Sequence, residues 1–380
     1  MINSVPHIRL PHFPKGVLVL LCGVLWLLAG CTLPQVQARE RLFLPLEINF
    51  LGSSQLPNQE FNGTKVGGLS GITFDRQTNQ YYAISDDRQQ PRFYTLKLQP
   101  PAPAQTPAEI TQVTFLQDQQ SAPFAPNTAD PEGIALTPEK TLLISSEGVK
   151  DQAPPFIREF SLDGIEKLQF RLPSYYSAHP DPEKPAQGVQ NNQGFESLTL
   201  NPAGDRLFVA TETGLIQDLD PENKTIPVAR ILHYLRGDVQ PILISEHAYQ
   251  LEPTPNTAVA NGLVELLALD NGGHFLSLER TFSLTQGFGI KLFQVSLGGA
   301  ADITTLKKLP PGLQGIKPIR KTLLLDLGIL GITLDNLEGM TLGPQLADGS
   351  SSLLIIGDND FQAKRTTQIL WFSLTGLGQS

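Results

Sequence analysis

Phe195-Glu196-Ser197-Leu198-Thr199-Leu200-Asn201-Pro202-Ala203-Gly204-Asp205-Arg206-Leu207-Phe208-Val209-Ala210-Thr211-Glu212 is the stretch from which the fold is read. Apolar residues alternate on both sides of Asn201-Pro202-Ala203-Gly204-Asp205, whose chemistry favours a turn, so the segment reads as a β-hairpin. In an antiparallel pair the first residue of one strand and the last residue of its partner lie at the same end. Glu196 and Glu212 are therefore expected side by side on one rim.

The same phrase recurs along the chain. Ser70-Gly71-Ile72-Thr73-Phe74 leads to Ser85-Asp86, Glu132-Gly133-Ile134-Ala135-Leu136 to Ser146-Glu147, Glu265-Leu266-Leu267-Ala268-Leu269 to Leu278-Glu279, and Glu338-Gly339-Met340-Thr341-Leu342 to Gly357-Asp358. Successive openings lie 62, 64, 69 and 73 residues apart. Strand units repeated at a long period are the signature of a closed radial array, in which each sheet buries its faces against its neighbours. The expected fold is an all-β β-propeller. A four-stranded blade takes about 40–50 residues, so the longer period implies long loops or uncounted blades. Six blades are favoured, five or seven are the alternatives, and a closed two-sheet sandwich is the competing architecture. Prolines crowd into Gln99–Pro103, Pro123–Pro131, Pro173–Pro185, Pro221–Pro227, Pro253–Pro255 and Pro310–Gly312, which favours long loops there. Lys321–Leu334 reads as a short helix or a buried strand.

The first residues follow another logic. Arg9 and Lys15 precede an apolar run from Val17 to Ala29, short for a membrane span and suited to a signal-peptide core. The run ends in Leu28-Ala29-Gly30-Cys31, which resembles the lipobox of bacterial lipoproteins. The expectation is a signal peptide over 1–30, lipidation of Cys31, a short tether over 31–42 and one domain over 43–380. That places the protein in the cell envelope, lipid-anchored in the periplasm or secreted.

Composition excludes several functions. Cys22 and Cys31 are the only cysteines, so the mature chain has no thiolate metal site, disulfide or cysteine nucleophile. The formal charge is −9, and loss of Arg9 and Lys15 makes it about −11. Such a chain is a poor partner for nucleic acid. The expected partner is a small-molecule ester or phosphoester, with membrane contact only through the anchor and the chain a monomer.

If the blades close, Glu132, Glu147, Glu196, Glu212, Glu265, Glu279, Glu338 and Asp358 converge on one mouth, with Ser70 and Asp86 in the same slots of the first copy. Carboxylates so crowded must raise their pKa values, find cations or hold a metal ion. Oxygen donors without histidine or cysteine suit a hard ion, and calcium, with six to eight oxygens, fits best. Asn191, Asn192, Asn261, Asn336 and Asn359 are further oxygen donors near the acids. Each acid also has a plain structural alternative, pairing with a cation such as Arg158, Arg280, Lys291 or Arg365, or with Arg88 and Arg92 beside the first copy. The fourth copy departs from the pattern, because leucine follows Glu265.

Gly68-Leu69-Ser70-Gly71-Ile72, Ser85-Asp86-Asp87-Arg88, Asp130-Pro131-Glu132-Gly133-Ile134, Gly194-Phe195-Glu196-Ser197-Leu198, Asn336-Leu337-Glu338-Gly339-Met340 and Gly357-Asp358-Asn359-Asp360, in this order, resemble the phytase-like, or "esterase-like activity of phytase", family of exported bacterial proteins. The resemblance spans roughly residues 45 to 375, and it implies hydrolysis of phosphate or carboxylate esters. No histidine-phosphatase motif is present. Gly68-Leu69-Ser70-Gly71 lacks the final glycine of a serine-esterase elbow, since Ile72 takes that place and a strand follows. Only His179, His233, His247 and His274 survive processing; His179 and His233 sit in apparent loops or mixed segments and His274 in the turn of the fourth hairpin, on the side away from the acids, so none is the favoured general base.

The carboxylates are thus the candidate machinery. Glu132, Glu196 and Glu338 are the first choices for metal ligation and proton transfer, and Glu147, Glu212 and Asp358 are further metal ligands. Arg88 and Arg280 are candidate anion contacts. The alternatives are a non-catalytic envelope module that binds a ligand or protein, and a lactone hydrolase.

Overall fold

The computed structural model describes residues 42–100, 108–179, 181, 183–219, 226–237 and 239–377. The signal segment, Cys31 and the tether as far as residue 41 lie outside these residues. The propeller falls within the unit Phe43–Ser380.

Five four-stranded antiparallel sheets form the blades. Blade I is Leu69–Asp75, Gln80–Ser85, Arg92–Lys97 and Glu109–Phe115; blade II is Pro131–Leu136, Thr141–Ser146, Phe156–Ser161 and Glu166–Gln169. Blade III is Phe195–Leu200, Arg206–Thr211, Val228–Leu235 and Ile242–Gln250; blade IV is Ala258–Ala268, His274–Ser283, Gly287–Ser296 and Arg320–Asp326. Blade V combines Asn336–Gln345, Ser351–Asp358 and Thr367–Thr375 with the N-terminal strand Glu47–Leu56. That last strand pairs with Thr367–Thr375 from Glu47 opposite Thr375 to Leu56 opposite Thr367, so the two ends of the fold close one blade together.

The first strand of each of blades I to V touches the first strands of its two neighbours, in a cycle that returns from V to I. These are the inner strands. Their sequences are nearly continuous in buried residues, as in Pro131–Leu136, whereas Glu47–Leu56 on an outer edge alternates between exposed and half-buried. That contrast is what burial on both faces against burial on one face requires. Apolar clusters fill the seams: Tyr81 with Trp371 between V and I, Ile84 with Ile144 between I and II, Leu143 with Val209 between II and III, Tyr249 with Leu263 between III and IV, and Leu278 with Ile355 between IV and V.

The β-propeller expectation is met, with five blades, the lower alternative, rather than the favoured six. The long period comes from loops and from long strands in blades IV and V, and among the described residues no uncounted blade lies between the copies. Pro131 opens an inner strand despite its place at the end of a proline-rich stretch, and Lys321–Leu334 divides into the edge strand Arg320–Asp326 and a 3-10 turn at Leu327–Leu330.

All five inner hairpins carry an irregularity of register at the same place, near the start of the inner strand. It falls between Leu69 and Gly71, Pro131 and Ile134, Phe195 and Ser197, Leu263 and Glu265, and Leu337 and Gly339. Bulges of this kind re-aim a side chain and are common beside functional sites. The residues at the bulge are Ser70, Glu132, Glu196, Val264 and Glu338.

Candidate functional site

The repeated bulge and the hairpin ends define three equivalent positions per blade. The residue two before the bulge pairs with the closing residue: Gly68 with Asp86, Asp130 with Glu147, Gly194 with Glu212, Gly262 with Arg280 and Asn336 with Asp358. Together with Glu132, Glu196 and Glu338, these side chains gather at one end of the ring. Blade IV breaks the pattern. Its bulge residue is Val264, one position before the Glu265 of the sequence reading, and its closing residue is Arg280, one position after Glu279. In a strand a slip of one residue sends every side chain to the other face.

Glu265 and Glu279 consequently lie elsewhere. Glu265 is buried in the seam between blades IV and V, where it accepts from Leu266 N at 2.9 Å and Met340 N at 3.1 Å. Glu279 accepts from Tyr249 Oη at 2.7 Å and pairs with Lys321. Arg158 and Arg92 are engaged by Glu166 and Asp87, and Arg365 by Asp360. His233 stacks on Phe208, His274 binds Asp270 within its turn, and the Nδ1 atoms of His247 and His179 lie within hydrogen-bond distance of the Ala301 and Asp181 carbonyls. No histidine joins the mouth among the described residues.

Two arginines do join it. Arg280 donates from Nη1 to Glu338 and to Asn336 Oδ1 at 2.6 Å, and from Nη2 to Glu212 Oε1 at 3.1 Å. Its side chain is 14% exposed, and its pKa is raised by Glu338, Glu212 and Glu196 against the opposing effect of burial. Arg88 lies 2.5 Å from Asp130 Oδ2 and 3.7 Å from Glu147 Oε1, and donates to Asn192 Oδ1 at 2.6 Å.

The remaining acids crowd one another. Burial and then Glu196 raise Glu132 well above the ordinary range; burial and then Glu212 do the same for Glu196, and burial and then Asp130 for Glu147. Asp86 is raised to about 7 by burial and by Glu338 and Asp130. Asp358, raised by burial and Glu338, accepts Asp360 N at 2.8 Å. Glu212 and Glu338 are also raised, because burial outweighs the pull of Arg280. Neighbouring carboxyls within a shielded volume behave in this way because two adjacent charges cannot both be solvated.

Asp130, Glu132 and Glu147 each offer an oxygen, all three within 4.8 Å of one another, and all three residues are buried. Glu147 is held in place by Gly194 N, 2.7 Å from its Oε2. Asp86 Oδ1 is buried with no donor among the described residues. This set of oxygens fits a hard divalent ion such as calcium. Asp130 lies outside the set of ligands read from the sequence, although its place two residues before Glu132 is a usable signal. Of the amides, Asn192 meets Arg88 and Asn336 bridges Glu338 and Asp358. Asn359 accepts from Gly68 N, and Asn261 donates to Glu252 and Thr254.

The profile of the family described as "Phytase-like: Esterase-like activity of phytase" matches residues 64–361. The chain belongs to the phytase-like family. All five inner hairpins lie within the matched residues. This phytase-like propeller is also similar to an uncharacterized secreted protein of Arthroderma benhamiae, 28% identical over 178 residues, covering 40% of this chain and 34% of the relative's length. Among solved structures it is similar to an arabinanase of Bacillus subtilis (13% identity, TM-score 0.41, 86% of this chain and 97% of that one). A Lactobacillus plantarum protein is also similar (12% identity, TM-score 0.37, 79% and 66%). The five-bladed ring itself is read from the strand order of this chain.

Proposed function

We propose that this phytase-like propeller is an exported hydrolase of ester or phosphoester bonds that works with a calcium ion in its carboxylate mouth. The observation that supports this reading is the buried trio Asp130, Glu132 and Glu147, beside Asp86 with its unpartnered oxygen. These residues would hold the ion, and a bound ion supplies Lewis acidity and a bound water of lowered pKa.

The chain's own groups then have separate tasks. Among the described residues no cation is bonded to Glu196, and burial beside Glu212 pushes its carboxyl well above the ordinary range, the direction that suits a group which takes and returns a proton. Glu338 and Glu212 are fixed by Arg280, which positions them and offsets part of their repulsion. Arg88, at 36% exposure, is the cation that meets solvent and the proposed contact for an anionic group of a substrate. Export by the signal segment, anchoring through Cys31 and action as a monomer on a small molecule belong to the same reading.

The test is turnover of 4-nitrophenyl acetate and 4-nitrophenyl phosphate by the wild type, Glu196→Gln and Glu338→Gln, with thermal melting of each. A loss of about 100-fold or more in kcat/KM with the fold retained supports the reading. Unchanged turnover removes these residues from the mechanism, and absence of turnover by the wild type favours the non-catalytic binding module. Ring opening of a lactone without ester or phosphate turnover moves the activity to the lactonase class.

A further inference from the structure

Arg88 is both the cation paired with the acid trio and the arginine of the mouth that meets solvent. Its Nη2 lies 2.5 Å from Asp130 Oδ2 and 3.7 Å from Glu147 Oε1, and donates to Asn192 Oδ1 at 2.6 Å. Among the described residues no other lysine or arginine pairs with Asp130, Glu132 or Glu147.

The two arginines of the mouth are held in different ways. Arg280 uses both Nη1 and Nη2, reaches three residues and is 14% exposed. Among the described residues Arg88 makes its side-chain contacts through Nη2 alone, and it is 36% exposed beside carboxylates that are 1% and 2% exposed. Its main chain is fixed: its carbonyl accepts from Asn127 N at 2.7 Å, and Asp87 Oδ1 accepts from Gln89 N at 2.9 Å. A change of rotamer is therefore enough to turn the guanidinium into water with the loop in place.

One guanidinium nitrogen cannot offset three carboxylates whose oxygens lie within 4.8 Å of one another. A divalent cation takes several oxygens at once and carries twice the charge, so it outcompetes that nitrogen and repels the guanidinium beside it. Paired with Asp130, Arg88 has its charge already offset. Turned outward, it offers the planar fork that binds a carboxylate or phosphate through two parallel hydrogen bonds.

We infer that Arg88 is an exchangeable counter-ion: a divalent cation taken up by the trio displaces its guanidinium from Asp130, and the released guanidinium becomes the receptor for an anionic group of the substrate. Cation and anion then bind in that order, and the preferred substrate is an anionic ester. The inference rests on the metal reading of the mouth.

The test is labelling of the full-length protein with phenylglyoxal, an arginine reagent, in calcium chloride and in chelator, read residue by residue from peptide masses. The melting temperature in the same two buffers reports calcium binding. Arg88 should be labelled roughly tenfold faster in calcium, the factor expected for release from one charge-assisted hydrogen bond. Arg280 and the buried Arg92 should be labelled no faster, because an ion that stabilises the fold shields them further. An Arg88 with a structural role alone would follow those two. Methyl phosphate, compared with chloride at equal ionic strength, should slow labelling of Arg88 in calcium and leave it unchanged in chelator. A rise in melting temperature with calcium while Arg88 is labelled no faster overturns the exchange and leaves the metal reading standing. Faster labelling in calcium that methyl phosphate does not slow overturns the role of Arg88 as anion receptor. No melting shift and no change in labelling removes the metal reading, and the exchange with it.

Discussion

Arg280 of blade IV occupies the strand position that Glu212 holds in blade III, and its Nη2 lies 3.1 Å from Glu212 Oε1. One blade of the five thus delivers a cation where its neighbours deliver acids. With Arg280 replaced by glutamine, Glu212 and Glu338 are left buried without their counter-charge. The expected cost is about 3–5 kcal/mol near neutral pH and above. The loss should shrink as pH falls, because carboxyls raised by burial take up protons and no longer need a counter-charge. Arg280→Lys should recover only part, because a single ammonium cannot span Glu338, Asn336 and Glu212 at once. Urea unfolding of the three proteins at two pH values checks this; an Arg280→Gln variant as stable as the wild type contradicts it.

The metal-free protein should lose stability as pH rises from about 5 to about 8. Asp86, raised from 3.8 to about 7, binds a proton in the folded state over a range where the unfolded chain has released it. Folding therefore takes up protons in that window, and stability falls as pH rises through it. Glu132, Glu147 and Glu196 extend the effect upward. Carboxyls with depressed values, Asp75 and Asp87 among them, contribute stability that is complete above the ordinary aspartate range; His233, lowered by burial to about 4, and His247, also lowered by burial, act the other way as pH rises to about 6.5 and offset part of the trend, which the larger set of raised carboxyls carries. Melting curves in chelator across this range are the measurement, and a melting temperature that climbs with pH is the contrary result.

Glu265 belongs to a blade seam, and burial pushes its carboxyl well above the ordinary range. Glu265→Gln keeps a carbonyl oxygen for Leu266 N and Met340 N and should change stability by less than about 1 kcal/mol. Glu265→Ala leaves both amides unpaired and should cost about 2 kcal/mol or more. Ester turnover should be unaffected by Glu265→Gln. A large loss of activity in that variant would return Glu265 to the mouth.

How much the sequence disclosed follows from where the signal lay. Glu196 and Glu212 were legible because a hairpin places its two ends together. Blade IV was misread by one residue because Val264 carries no polar signal at the bulge, while Glu265 and Glu279 offered acids at the wrong phase. The closing strand Glu47–Leu56 was not legible, since its partner lies at the other end of the chain. Blade number was obscured by loops whose length is independent of the ring.

Ring closure depends on small residues at the seams. A Cβ on Gly71 would stand 2.4 Å from the carbonyl oxygen of Glu132, and one on Gly133 would stand 2.9 Å from Leu198 N. Gly71→Ala should therefore force the inner strands of blades I and II apart and cost about 1–3 kcal/mol. The same displacement moves Glu132, so calcium affinity should fall as well. Denaturation together with calcium titration tests both parts, and full calcium affinity in a destabilised variant would separate the seam from the site.

The most direct test of the carboxylate mouth is the melting temperature of the protein in excess calcium and in chelator, for the wild type and for Glu132→Gln. An ion at about 100 times its dissociation constant adds roughly 2.7 kcal/mol to stability. The account predicts a clear upward shift for the wild type that is lost in Glu132→Gln. Identical melting of the wild type in calcium and in chelator, or an equal shift in the variant, would contradict it.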